Sequence, residues 1–134
     1  MTVKFSDPKT MPHRVGYSQI AEVTKGKIVL IAGQVPHDTD DKLVGAGDFA
    51  TQVEQVFKNV DAAVRAAGGA MKDLVKINNY VVASVTPEQI RAFRDVRDRY
   101  VNTAAPPVST LIYVSRLAQP GWLFEMDAMA VIDG

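Results

Sequence analysis

Two stretches of the chain carry the period-2 pattern of half-buried strands. In residues 123–132, Phe124, Met126, Ala128, Ala130 and Ile132 share one face, because side chains alternate across a strand. That face is wholly apolar and is assigned to the core. Leu123, Glu125, Asp127, Met129 and Val131 share the other. Two carboxylates among apolar neighbours are costly unless they are exposed, paired or used. In residues 108–115, Val108, Thr110, Ile112 and Val114 form one face and Ser109, Leu111, Tyr113 and Ser115 the other. Pro120-Gly121 in the connection is a turn signal, so the two runs read as strands joined by a loop. Aligning their apolar faces puts Ser109 on the side of Glu125, and function is expected there.

The rest of the chain parses in order. Residues up to Gly16 read as an irregular lead-in, since Pro8 and Pro12 oppose regular structure. Residues 17–23 and 27–34 read as two strands about a Lys25-Gly26 turn, giving a hairpin. Ile28-Val29-Leu30-Ile31 is apolar at every position, which predicts burial on both faces. Asp48 is a helix N-cap. Behind it Phe49, Val53, Val56, Phe57, Val60, Ala63 and Val64 make an apolar stripe at helical spacing, stopped by Gly68-Gly69. Residues 74–82 form a third strand. Thr86-Pro87-Glu88-Gln89 has the form of a capping box with Pro at the first helical position. The helix it opens turns Ile90, Phe93, Val96, Tyr100 and Val101 inward. The order β-β-α-β-α-β-β predicts an α+β sheet with two helices on one face. That sheet has more apolar surface than two helices cover. The face assigned to Leu111, Tyr113 and Met129 therefore calls for a second copy of the chain, in a closed homo-oligomer.

Composition narrows the classes. The 134 residues suit one domain, residues 1–134. Fifteen acidic and fifteen basic residues balance, and the basic ones are scattered, so nothing favours nucleic acid. The chain has no cysteine, which removes disulfides, thiolate nucleophiles and cysteine metal sites together. No apolar leader and no run long enough to span a bilayer is present, so a soluble cytoplasmic protein without a membrane partner is expected.

Candidate chemistry is sparse. His13 and His37 lie in loops without a ligand cluster, and no metal site is expected. Gly45-Ala46-Gly47 lacks the lysine of a phosphate loop. Ser109 has no nucleophile-elbow context. Arg94 and Arg97 read as solvated residues paired to acids at i,i+4, with an anion-binding role as the minority reading. Glu125 and Asp127 are either a structural pair or a functional one. Part-buried at a subunit boundary, Glu125 would have a raised pKa and could move a proton near neutral pH.

Several segments together resemble one family. They are Gly16-Tyr17-Ser18-Gln19, Ile31-Ala32-Gly33-Gln34-Val35-Pro36, Gln55-Val56-Phe57-Lys58-Asn59-Val60, Ala66-Ala67-Gly68, Asp73-Leu74-Val75-Lys76, the strand from Pro107 to Leu117, and Phe124-Glu125-Met126-Asp127-Ala128-Met129-Ala130. The ordered set is similar to the Rid family, the YjgF-like proteins that include reactive enamine/imine deaminases. The resemblance implies a chorismate-mutase-like α+β fold and a homotrimer with three clefts, each lined by two neighbouring subunits. It also implies hydrolysis of 2-aminoacrylate-type enamines and imines to 2-keto acids and ammonia, without metal or organic cofactor.

Carried over residue by residue, the resemblance marks Glu125 and Tyr17 as catalytic. It marks Ser109, Thr110, Gly33 and Ala32 as substrate-binding. The family's Pro-x-Arg-Ser/Thr becomes Pro107-Val108-Ser109-Thr110, so Ser109 stands where the family has a carboxylate-binding arginine. One neutral hydroxyl does not replace a charge-assisted fork, and its loss costs on the order of 2–5 kcal/mol for a carboxylate substrate. The expected function is imine or enamine hydrolysis on a substrate other than simple 2-aminoacrylate. The alternative is a trimer that binds a metabolite or protects a partner without catalysis.

Overall fold

In the computed structural model, residues 2–13 and 15–133 are described. Met1, Arg14 and Gly134 lie outside them, so the reading of the lead-in is tested on its other residues only. The elements are β1 Val3–Ser6, β2 Ile20–Val23, β3 Lys27–Gln34, α1 Phe49–Ala66, a 3-10 turn at Met71–Asp73, β4 Leu74–Val82, α2 Pro87–Tyr100, β5 Val108–Val114 and β6 Phe124–Ile132. The architecture is α+β, with a four-stranded mixed sheet in the order β3-β6-β4-β5.

The two helices form for local reasons. Asp48 accepts a hydrogen bond from the Thr51 backbone N–H at 3.1 Å and caps α1. Thr86 and Gln89 exchange the two bonds of a capping box at α2, with Pro87 behind the cap. Both helices lay their apolar stripes on the same sheet face. Phe49, Val53, Val56, Phe57, Val60 and Val64 of α1 pack with Phe93 and Val96 of α2. Beneath them lie Ile31, Ile77, Val81, Phe124, Met126, Ala128 and Ala130. The apolar face assigned to β6 from its alternation is thus the core face.

Three pairings differ from the sequence reading. The lead-in contains β1, which pairs antiparallel with β2 in a separate two-stranded sheet, Val3 opposite Val23. Consequently β2 and β3 do not form a hairpin pair. Gly26 does turn the chain, with φ +117°, but β3 takes β6 as its partner. Nor do β5 and β6 pair: β4 lies between them, parallel to β5 and antiparallel to β6. Burial explains the choice. The most buried strands, β4 and β6, occupy the centre, and the more exposed β3 and β5 the edges. Pairing follows such packing more than chain adjacency.

The face away from the helices is bare over much of its width. Leu30 is 74% exposed, Ile28 60% and Ile112 45%, so the expectation that residues 28–31 are buried on both faces does not hold within one copy. The register also redistributes residues. Leu30 lies opposite Met129 on the bare face. Leu111, by contrast, packs against the core on the helix side, and Tyr113 shares its face by alternation. The uncovered surface is real, but Met129, Ile28, Leu30 and Ile112 carry it rather than Leu111 and Tyr113.

Candidate functional site

The register decides where each candidate points. Ser109 lies opposite Ile77, and Ile77 opposite Ala128. Residues directly opposite share a face, so Ser109 is on the helix side. Glu125 lies opposite Tyr80, and Tyr80 opposite Ile112, so Glu125 is on the bare side. Ser109 and Glu125 therefore point to opposite faces of one sheet. The expected shared face is overturned because β5 turns the face of Ser109 and Leu111 to the core, not the face of Val108, Thr110 and Ile112.

On the bare face, the two carboxylates have different surroundings. Asp127 accepts hydrogen bonds from Tyr80 Oη at 2.7 Å and from Asn78 Nδ2 at 2.9 Å. The bond to Asp127, and then burial, raise the Tyr80 pKa, because a phenol that donates to a carboxylate resists losing its proton. Glu125 receives no hydrogen bond from any described residue. Burial raises its pKa above the ordinary 4.5, and the neighbouring Asp127 charge adds to the shift. Its side chain lies over the β3 bulge, where the register slips between Ile31 and Gln34. A Cβ built on Gly33 would overlap Glu125 Oε2. The space left by Gly33 is thus filled by the Glu125 carboxylate rather than left open for a ligand. Ala32 is exposed in the same bulge, and its carbonyl accepts from Gln34 Nε2 at 2.9 Å. Thr110 lies opposite Asn78 on the bare face and is exposed.

On the other side, the edge of β5 and α2 enclose a cleft of about 1010 Å³. Tyr17 and Ser109 line it together with Arg91, Arg94 and Arg97. Tyr17 is brought there by its neighbour Ser18, whose N–H donates to Pro107 O at 3.2 Å and whose Oγ donates to Pro106 O at 2.6 Å. Asn79, buried between β4 and β5, donates Nδ2 to Ser109 Oγ at 3.1 Å and to Thr110 O at 3.0 Å. With its oxygen accepting from Asn79, Ser109 keeps its own proton for a ligand.

The arginines depart from expectation. Arg97 is only 8% exposed, not solvated, and its Nε donates to the adjacent Asp98 at 2.9 Å rather than to an acid at i,i+4. Its guanidinium carbon lies 5.6 Å from the centre of the Phe93 ring. Arg94 and Arg91 are exposed and have no ion-pair partner among the described residues. Arg91 was not singled out by sequence. The available signal was the recurrence of arginine every third residue, 91, 94 and 97, which places them along one side of a helix. His37 is held in place: its Nε2 accepts from Trp122 Nε1 at 2.9 Å and its Nδ1 meets Asp41 at 2.8 Å.

The fold and this arrangement identify the class. A family model described as endoribonuclease L-PSP matches residues 9–132, and the chain belongs to that family, the YjgF/RutC/Rid proteins. It is 31% identical over 121 residues to Protein DfrA of Myxococcus xanthus, covering 90% of this chain and 88% of that one. It is 29% identical over 101 residues to the 2-iminobutanoate/2-iminopropanoate deaminase of Dermatophagoides farinae, 75% of each chain. Among solved structures, the conserved Rid family protein YyfB from Yersinia pestis, described as of unknown function, superposes with a TM-score of 0.87. The two are 30% identical over 98% of this chain and all of the other. Among the described residues, no helix is long and apolar enough to cross a membrane.

Proposed function

We propose that the chain works as a homotrimer whose intersubunit clefts hydrolyse an imine or enamine to the carbonyl compound and ammonia. The observation that carries the reading is Glu125: a part-buried carboxylate with a raised pKa, free of donors, beside an Asp127 that is fully engaged. A carboxylate in that state takes a proton from water readily, whereas one held by two donors does not. The kinship with an imine deaminase supports the same chemistry.

Glu125 and Gly33 lie on one face of the sheet and Ser109 on the other. One copy cannot close these groups around a small substrate. A second copy seated on the bare face around Ile28, Leu30 and Ile112 would bring a Tyr17–Ser109 edge toward the Glu125 carboxylate, and would bury apolar surface that a monomer leaves in water. In the reaction, Glu125 accepts a proton from water as its oxygen attacks the imine carbon. The proton passes to nitrogen, and the carbinolamine collapses to the carbonyl compound with loss of ammonia. Tyr17 and Ser109 donate hydrogen bonds to the substrate, and Thr110 and Ala32 line its approach. Because Ser109 occupies the place of the family's strand arginine, imines of simple amino acids are poor substrates on this reading.

The test is ammonia release from a panel of imines generated in situ by an amino-acid oxidase, with the chain added or omitted. Acceleration that is lost in Glu125→Gln supports the reading. Binding of panel compounds without acceleration would refute catalysis and leave a recognition trimer.

A further inference from the structure

The cleft between α2 and β5 has a charge the proposed reaction does not use. Three guanidiniums, Arg91, Arg94 and Arg97, face one carboxylate, Asp98. Asp98 is already bound to Arg97 Nε. Arg97 is a nine-tenths buried cation whose Nη1 and Nη2 have no acceptor among the described residues. Those nitrogens keep surface at the cleft wall, where water or an anionic ligand completes them. The backbone is built around it as well. Gly16 sits at φ +92°, a conformation that favours glycine, and a Cβ there would overlap the Arg97 terminal nitrogen. The loop that carries Tyr17 thus leaves room for the guanidinium to lie at the cleft wall.

We infer that this cleft binds a small dicarboxylate, with one carboxylate on Arg97, Ser109 and Tyr17 and the second on Arg94 and Arg91. Two observations select a dianion over a monoanion. Asp98 offsets one of the three positive charges, so two remain unmatched. The arginines are also spread along the helix rather than clustered: Arg94 lies about 5 Å and Arg91 about 9 Å along the axis from Arg97. That spread fits two separated carboxylates better than one compact phosphate. A planar fork also reads a carboxylate in two bonds, which a lysine does not. Anion selection has thus moved from the strand position of Ser109 to the helix facing it. If the bound molecule is the substrate, it is the imine of an amino acid with an acidic side chain. That step alone rests on the proposed function; the binding site does not.

The experiment is calorimetric titration of the full chain at low salt with succinate, butyrate and glycerol 3-phosphate. Succinate is expected to bind at least tenfold tighter than butyrate. Arg94→Gln, which is exposed and leaves the core untouched, should bring succinate to the butyrate level. Arg97→Lys, which keeps the charge beside Asp98 but loses the fork, should weaken both carboxylates at least tenfold. Arg65→Gln on the outer side of α1 should change nothing. Equal affinity for succinate and butyrate, or a preference that survives Arg94→Gln, would overturn the site. Tighter binding of glycerol 3-phosphate than of succinate would overturn the dicarboxylate assignment. Ammonia release from aspartate-derived against alanine-derived imines separates this inference from the reaction. Dicarboxylate binding with no turnover of either imine would refute hydrolysis and keep the site, whereas equal turnover of both would keep hydrolysis and refute the selectivity.

Discussion

Replacing Glu125 by glutamine removes a charge without changing shape, and the structure sets opposite effects on turnover and stability. Burial and Asp127 raise the Glu125 pKa above its ordinary 4.5, so the fold favours the neutral acid. A group raised in this way lends stability below its ordinary pKa and loses it as pH rises through the raised value. At pH 7 the wild type therefore carries a charge the fold disfavours, and glutamine relieves it. Glu125 and Asp127 are two residues apart on one face, about 7 Å. Their repulsion there is about 0.6 kcal/mol in water and about 2.4 kcal/mol at an effective dielectric of 20. Both groups are only part-buried, and solvent screening holds the gain near the lower figure. For a chain of 134 residues that is a rise in Tm of about 2 °C at pH 7. The rise should vanish near pH 4 and below. Turnover in the ammonia assay should fall about 10²–10⁴-fold, the usual contribution of a general base. Asp127→Asn should do the reverse, lowering Tm by disturbing the bonds to Tyr80 and Asn78 while turnover stays within a few-fold. A Glu125→Gln protein that melts lower at pH 7, or whose gain is the same at pH 4, would show that donors hold the carboxylate. Undiminished turnover would remove it from the reaction.

Three further outcomes follow from the packing. Light scattering should give three times the 14.6 kDa chain mass, and Leu30→Asp, a charge on the bare face, should shift it toward monomer; a well-folded wild-type monomer would remove both the interface and the shared cleft. Gly33→Ala should push the Glu125 carboxylate aside and lower turnover about 100-fold with the fold intact by circular dichroism, and normal turnover would show that the close approach is unimportant. Gln52→Ala should cost about 3 kcal/mol, roughly 10 °C in Tm, because buried Gln52 bonds Gly45 O, Gly121 O and Leu123 N and so ties α1 to the loop before β6; a loss under about 3 °C would mean that these groups find other partners.

The sequence by itself determined what depends on neighbours along the chain. The Asp48 cap, the Thr86–Gln89 box, both helical stripes and the alternating core face of β6 were legible because each is a relation among residues a few positions apart. The excess of apolar sheet surface was legible too, since it needs only a count of faces. Strand pairing was not. Nothing local in residues 106–132 says that β4 separates β5 from β6, and nothing in Val3–Ser6 says that it pairs with β2. Those choices are made over the whole sheet, in which the central strands β4 and β6 are the most buried. Ser109 and Glu125 then fell on opposite faces, because β5 turns its Ser109–Leu111 face to the helices and its Thr110–Ile112 face away from them. The same tertiary decision made the site. Arg97 reads as a surface residue in the helix pattern, and only the packing of α2 against the Gly16–Tyr17 loop buries it, leaving a cation at the wall of a cleft where the strand supplies a serine.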